Sequence, residues 1–146
     1  MTASAPEFQS TLNAIPASAG GKARSAAGGV RSLLRIEGAA VFAAALALYA
    51  HGGFSWPMFA LLFFAPDLTM LAYLAGPRAG ATAYNAVHTY LPALALVLAG
   101  FFFGLPAASA CGLIWIAHIG FDRALGYGLK YATGFSDTHL GGISRR

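Results

Sequence analysis

The chain has 146 residues, of which 58% are hydrophobic and 10% charged, with nine Lys and Arg against five acids for a formal charge of +4. A soluble domain carries about 25% charged residues, so this balance excludes an ordinary water-soluble fold and indicates one compact membrane unit. The basic residues are scattered around apolar segments, a pattern of membrane topology that argues against a nucleic-acid partner, and the single Cys111 rules out a disulfide framework.

Residues 1–29 are rich in Ala, Ser and Gly and include "SAGGKARSAAGG", a composition expected to form a flexible tail because it buries too little surface to offset ordering entropy. The tail lacks the apolar core of a secretory leader. Four apolar blocks follow, at 32–51, 56–75, 79–103 and 106–127. Each has about 20 residues or more, enough at about 1.5 Å per residue to cross a hydrocarbon core of about 30 Å. They are separated by "HGGFSWP", "GPR" and "GLP", which read as tight turns between antiparallel helices. No block alternates with a period of two, which argues against a β-barrel. The expected fold is an all-α integral membrane protein, a four-helix transmembrane bundle over 30–131 with a C-terminal tail or lid at 132–146. Pro57 and Pro106 fall at helix starts, whereas Pro66 and Pro92 fall inside helices and are expected to kink them.

Lys22, Arg24, Arg31 and Arg35 precede or open the first block, Arg78 lies in the second turn, and Lys130, Arg145 and Arg146 follow the fourth, while the first and third turns carry no Lys or Arg. The positive-inside rule then places both termini in the cytoplasm, for a multi-pass protein of the inner (plasma) membrane.

That topology assigns depths to the polar residues. Glu37 lies roughly 8 Å from the cytoplasmic end of its helix, Asp67, His88 and His118 roughly 15 Å from theirs, with Asn85 and Asp122 between. His118 and Asp122 are i and i+4 and Asn85 and His88 are i and i+3, so each pair is expected on one helical face, as in bundle proteins that build metal sites from facing helices. Interhelical hydrogen bonding alone accounts for a His or an Asn, at about 0.6 kcal/mol each. Three acids are harder to explain that way, because an Asp at a helix centre costs about 2.5–3.5 kcal/mol to insert. Gly120, Gly126 and Gly128 suggest close helix packing, and Arg123 and Lys130 either snorkel or hold an anionic group. In the tail, Asp137 and His139 are placed to fold back over the inner mouth, with Phe135 and Leu140 as docking residues.

From Leu33 to Ile143 the segments "RIEGAA", "FAPDL", "YNAVHTY", "IAHIGFDRALGYGLKY" and "DTHLG" resemble a family of small bacterial integral membrane proteins of unknown function, domain-of-unknown-function family 4260 (DUF4260). The resemblance implies the architecture and no reaction. More distantly, Pro66-Asp67, His88, and His118 with Asp122 are similar to the pattern of YdjM-type inner-membrane metal-dependent hydrolases, with Thr69 and Met70 where those carry a second acid and a His. The expected function is a membrane-embedded, metal-dependent hydrolase acting on a lipid or other amphiphile from the cytoplasmic leaflet. His88, His118 and Asp122 would bind a divalent ion (Zn, Mn or Mg), with Asp67 as a further ligand or orienting partner. Glu37 would accept a proton, and Arg123, Lys130, Asn85, Asp137 and His139 would contact substrate. The alternatives are a homo-oligomeric ion- or proton-binding transport protein, a bis-histidine haem protein using His88 and His118, and a non-catalytic structural membrane protein.

Overall fold

The computed structural model describes residues 25, 26 and 28–142; most of the expected N-terminal tail, with Lys22 and Arg24, and the last four residues, with Arg145 and Arg146, lie outside the described residues. Helix α1 spans Gly28–His51, α2 Trp56–Leu62, a 3-10 helix Ala65–Ala75, α3 Pro77–Val87, α4 Tyr90–Phe102 and α5 Pro106–Leu125. There is no β-strand among the described residues, and one isolated antiparallel bridge pairs Lys130 with Thr138. Among the described residues three stretches are long and apolar enough to cross a membrane: Gly28–His51, Trp56–Ala75 and Pro77–Phe102. The fourth expected block, α5, is not one of these three; it packs against α1 and α4 and contributes the largest set of buried residues of any helix, from Ala110 to Gly120.

The turns fall where Gly and Pro place them. Ser55 caps α2, its hydroxyl accepting from the Met58 amide at 3.5 Å. Gly76, at φ 108°, joins the 3-10 helix to α3 in a conformation that L side chains rarely adopt.

The expected kinks at Pro66 and Pro92 are instead complete breaks, so the second and third apolar blocks are each two helical segments. Pro92 has no N–H for the His88 carbonyl, and its ring crowds that carbonyl. α3 therefore stops at Val87 and α4 restarts at Tyr90, leaving Pro92 in a first turn where its missing donor costs nothing. Pro66 acts similarly. α2 stops at Leu62, and the chain resumes as a 3-10 helix with Pro66 in its first turn and the Thr69 hydroxyl donating to the Pro66 carbonyl at 2.7 Å. Eleven residues are long for a 3-10 helix. With three residues per turn, Asp67, Met70 and Tyr73 line one row and are partly buried, while Leu68, Leu71 and Leu74 line another and are exposed.

Close contact between α1 and α5 depends on small residues. A Cβ at Gly120 would lie 2.7 Å from the Phe42 amide and 2.9 Å from the Gly38 carbonyl, and one at Gly38 would collide with Arg123. Gly120 thus meets the packing expectation. Gly126 is a helix cap: at φ 98° it takes the left-handed conformation, with its amide on the Asp122 carbonyl at 3.0 Å. One half of the bundle is apolar, with Ala45, Tyr49, Phe63, Ala110, Leu113, Ile114 and Ala117 as its core. Phe63 carries that core to the polar half by meeting the His118 ring edge-on at 5.5 Å.

Candidate metal centre

Both helix breaks open at the same place. Asp67 enters from the 3-10 helix, His88 from the α3–α4 break, and His118 and Asp122 from one face of α5, and one ligand atom from each lies within 4.8 Å of the other three. The two imidazole Nε2 atoms are 3.1 Å apart. Asp67 Oδ1 lies 3.5 Å from His88 Nε2 and 3.6 Å from His118 Nε2, and Asp122 Oδ2 lies 3.7 and 3.8 Å from the same atoms. Ligands about 2.0–2.1 Å from a tetrahedral zinc are about 3.3–3.4 Å from one another; the His–His and His–Asp separations lie within about half an ångström of that spacing, while the two carboxylates are held only to within 4.8 Å of each other. The nitrogen contact leaves no gap for a porphyrin plane between the histidines, so the haem alternative fails on geometry.

The histidine orientations follow from their neighbours. His88 Nδ1 lies 2.9 Å from the Tyr84 carbonyl. A carbonyl only accepts, so Nδ1 carries the proton and the Nε2 lone pair faces the cluster, the arrangement usual for metal-binding histidines. Tyr84 acts twice. Its ring stacks on His88 with centroids 3.6 Å apart, and its hydroxyl donates to Asp122 Oδ2 at 3.0 Å. Sequence reasoning missed Tyr84, although its place four residues before His88 was the available signal. His118 has no such support, its Nδ1 being buried without a hydrogen-bond partner. Both imidazoles are 1% exposed, whereas the Asp67 side chain is 32% exposed, so the cluster opens on the Asp67 side.

The other expected site residues are not brought to the cluster. Glu37 is exposed. The face of α1 turned toward α5 carries Gly38, Ala45 and Tyr49, and Glu37 sits about 100° around the helix from Gly38. Depth placed it near the site and azimuth removes it. Asn85 pairs with the Lys130 backbone, accepting from its amide at 2.7 Å and donating to its carbonyl at 2.8 Å. Lys130 is 4% exposed, donates to the Phe135 carbonyl at 3.0 Å, and lies over the Phe135 and Tyr84 rings at 3.8 and 4.7 Å from their centroids. Arg123 donates to the His88 carbonyl at 3.0 Å, the acceptor that Pro92 left free. Trp115 likewise donates to the Val87 carbonyl at 2.6 Å. The cations expected to meet substrate are thus engaged with the protein itself.

The chain after α5 folds back on itself. Tyr131 donates to the Asp137 carbonyl at 2.8 Å, His139 to the Leu129 carbonyl at 3.1 Å, and Ala26 to the His139 carbonyl at 2.7 Å. Leu140 is fully buried, and Phe135 stays half exposed against Tyr73. Asp137 is exposed and accepts from the Thr133 hydroxyl at 2.9 Å. His139 Nδ1 accepts from the Leu129 amide at 2.8 Å, and Gly128 leaves room for its ring, since a Cβ there would lie 2.6 Å from Nδ1. Burial first, and then the nearby Arg123 charge, push the His139 imidazole below its ordinary range.

Together these features define a helical protein of membrane type with two broken helices meeting at a His/Asp cluster. The chain belongs to the family described as "Domain of unknown function (DUF4260)", whose model matches residues 31–143. No curated protein and no solved structure matches it.

Proposed function

We propose that the protein is a membrane-embedded, metal-dependent hydrolase acting on a lipid or amphiphile at the cytoplasmic leaflet of the inner membrane. The observation that carries this reading is the convergence of Asp67, His88, His118 and Asp122 within 4.8 Å. Support for cytoplasmic termini comes from the five described cations: Arg31, Arg35, Arg78, Arg123 and Lys130 all belong to the end of the bundle where α1 and α3 begin and α5 ends.

His88, His118 and Asp122 would hold the ion, the first oriented by the Tyr84 carbonyl and the last by the Tyr84 hydroxyl. A divalent ion bound there supplies Lewis acidity toward a substrate oxygen or water. Asp67, the open member of the set, would accept the proton of the attacking water, the role sequence reasoning gave to Glu37. Exposed Leu68, Leu71 and Leu74 beside it suit an acyl chain arriving from the bilayer.

Metal analysis of detergent-purified protein, with His118→Ala and Asp122→Asn alongside, tests the reading. Stoichiometric metal in the wild type and its loss in both variants is expected, followed by metal-dependent release of product from phospholipids in mixed micelles. A metal-free wild type after reconstitution with zinc, manganese or magnesium overturns it. The two broken spans favour a second reading, an ion- or proton-binding transport protein, because discontinuous helices expose backbone groups at ion sites. That reading requires a homo-oligomer and ion flux in proteoliposomes.

A further inference from the structure

The cations expected to hold an anionic group are packed against the protein itself, whereas Arg31 and Arg35 on α1 flank a surface groove with no acidic partner among the described residues. Arg31 and Arg35 are i and i+4 on α1, one above the other at the end of the bundle where α5 stops. Arg35 Nε donates to the Ala124 carbonyl at 2.8 Å, which fixes its guanidinium beside a groove of about 350 Å³ lined by Ser32, Arg35, Ile36, Ala39 and Ala124. Arg31 lies against Gly126 and Gly141, and its Nε is buried without a hydrogen-bond partner. Among the described residues no acid forms an ion pair with either arginine; the close pairs all belong to the His/Asp cluster. Glu37, two residues from Arg35, points about 200° away around the helix.

The lining has a direction. Ser32, Arg35, Ile36 and Ala39 follow at i, i+3, i+4 and i+7, one helical face that changes from hydroxyl and guanidinium to aliphatic over about 10 Å of axis. That sequence of chemistries matches an amphiphile whose anionic head lies at the interface and whose chain runs inward. Ala124 is two residues beyond Asp122 on α5, about 200° around, so the groove faces away from the His/Asp cluster. We infer that the α1–α5 groove is a binding site for one anionic phospholipid, its phosphate on Arg35 and Ser32 with Arg31 adding charge, and its acyl chain along Ile36 and Ala39. The inference rests on the membrane part of the proposed function and is independent of its metal chemistry.

The test is native mass spectrometry of the full chain released from micelles doped with phosphatidylglycerol or phosphatidylcholine. The wild type is expected to retain one phosphatidylglycerol in preference to phosphatidylcholine. Arg35→Gln should weaken that retention by about fivefold, whereas Arg78→Gln, which removes an equal charge elsewhere, should not. Ala39→Leu keeps both arginines and fills the groove, so it should abolish retention even if Arg35→Gln fails to fold. Equal retention of the two lipids, an undiminished adduct in Ala39→Leu, or displacement of the lipid by millimolar inorganic phosphate overturns the proposal. Metal content measured on the same samples keeps the two readings apart, since neither groove variant should change it.

Discussion

Replacing Arg123 by Met keeps the length and apolar stem of the side chain and removes the guanidinium that donates to the His88 carbonyl at 3.0 Å. That carbonyl belongs to a residue 1% exposed, and its ordinary helical donor is missing because residue 92 is proline. Leaving a buried carbonyl unpaired costs about 1–3 kcal/mol. The second Arg123 contact, to the Tyr127 carbonyl at 3.4 Å, is long and adds little. For a domain of this size about 1 kcal/mol shifts Tm by about 4 °C, so Arg123→Met should lower the melting temperature by about 4–12 °C in detergent at a fixed scan rate. Pro92→Ala restores an N–H whose i−4 partner is the same carbonyl, and the double variant should recover at least half of the loss. A melting temperature within 1 °C of wild type for Arg123→Met, or losses that simply add in the double variant, would show that Arg123 does not act by satisfying this carbonyl.

Tyr84→Phe keeps the ring stacked on His88 and removes the hydroxyl on Asp122; equilibrium metal titration should show affinity about 10–100-fold weaker with helicity unchanged, and unaltered affinity would remove Tyr84 from the site. The depressed His139 pKa makes docking of the C-terminal segment pH-dependent. The neutral imidazole accepts from the Leu129 amide, so its contribution is complete above about pH 6.5 and is lost as pH falls toward the lowered folded value. Hydrogen exchange at Leu129, corrected for intrinsic rate, should therefore accelerate between pH 7 and pH 5, and equal protection at both would contradict the assignment. Glu37→Gln should leave metal content unchanged and stability within about 0.5 kcal/mol, which metal analysis and thermal unfolding would check.

Composition and block length determine the helical, membrane-type class, since a chain this apolar has few other ways to satisfy its backbone. The turns were legible because Gly and Pro act locally, and so was the pairing of His118 with Asp122, which needs only an intact α5. His88 shows where local reasoning ends. It sits beyond the last α3 residue at φ −97°, ψ 16°, so the helical spacing that placed Asn85 beside it does not hold, and the two side chains serve different parts of the molecule. That Pro66 and Pro92 would disturb their helices was written locally, but the disturbance is a full break at each and not the expected kink. That both breaks would meet, with Trp115 and Arg123 of α5 filling the freed carbonyls, was not. Depth along a helix can be counted from sequence, but azimuth depends on which face a neighbour covers. Only tertiary packing therefore turned Glu37 outward, committed Lys130 and Arg123 to the protein, and placed Tyr84 between His88 and Asp122.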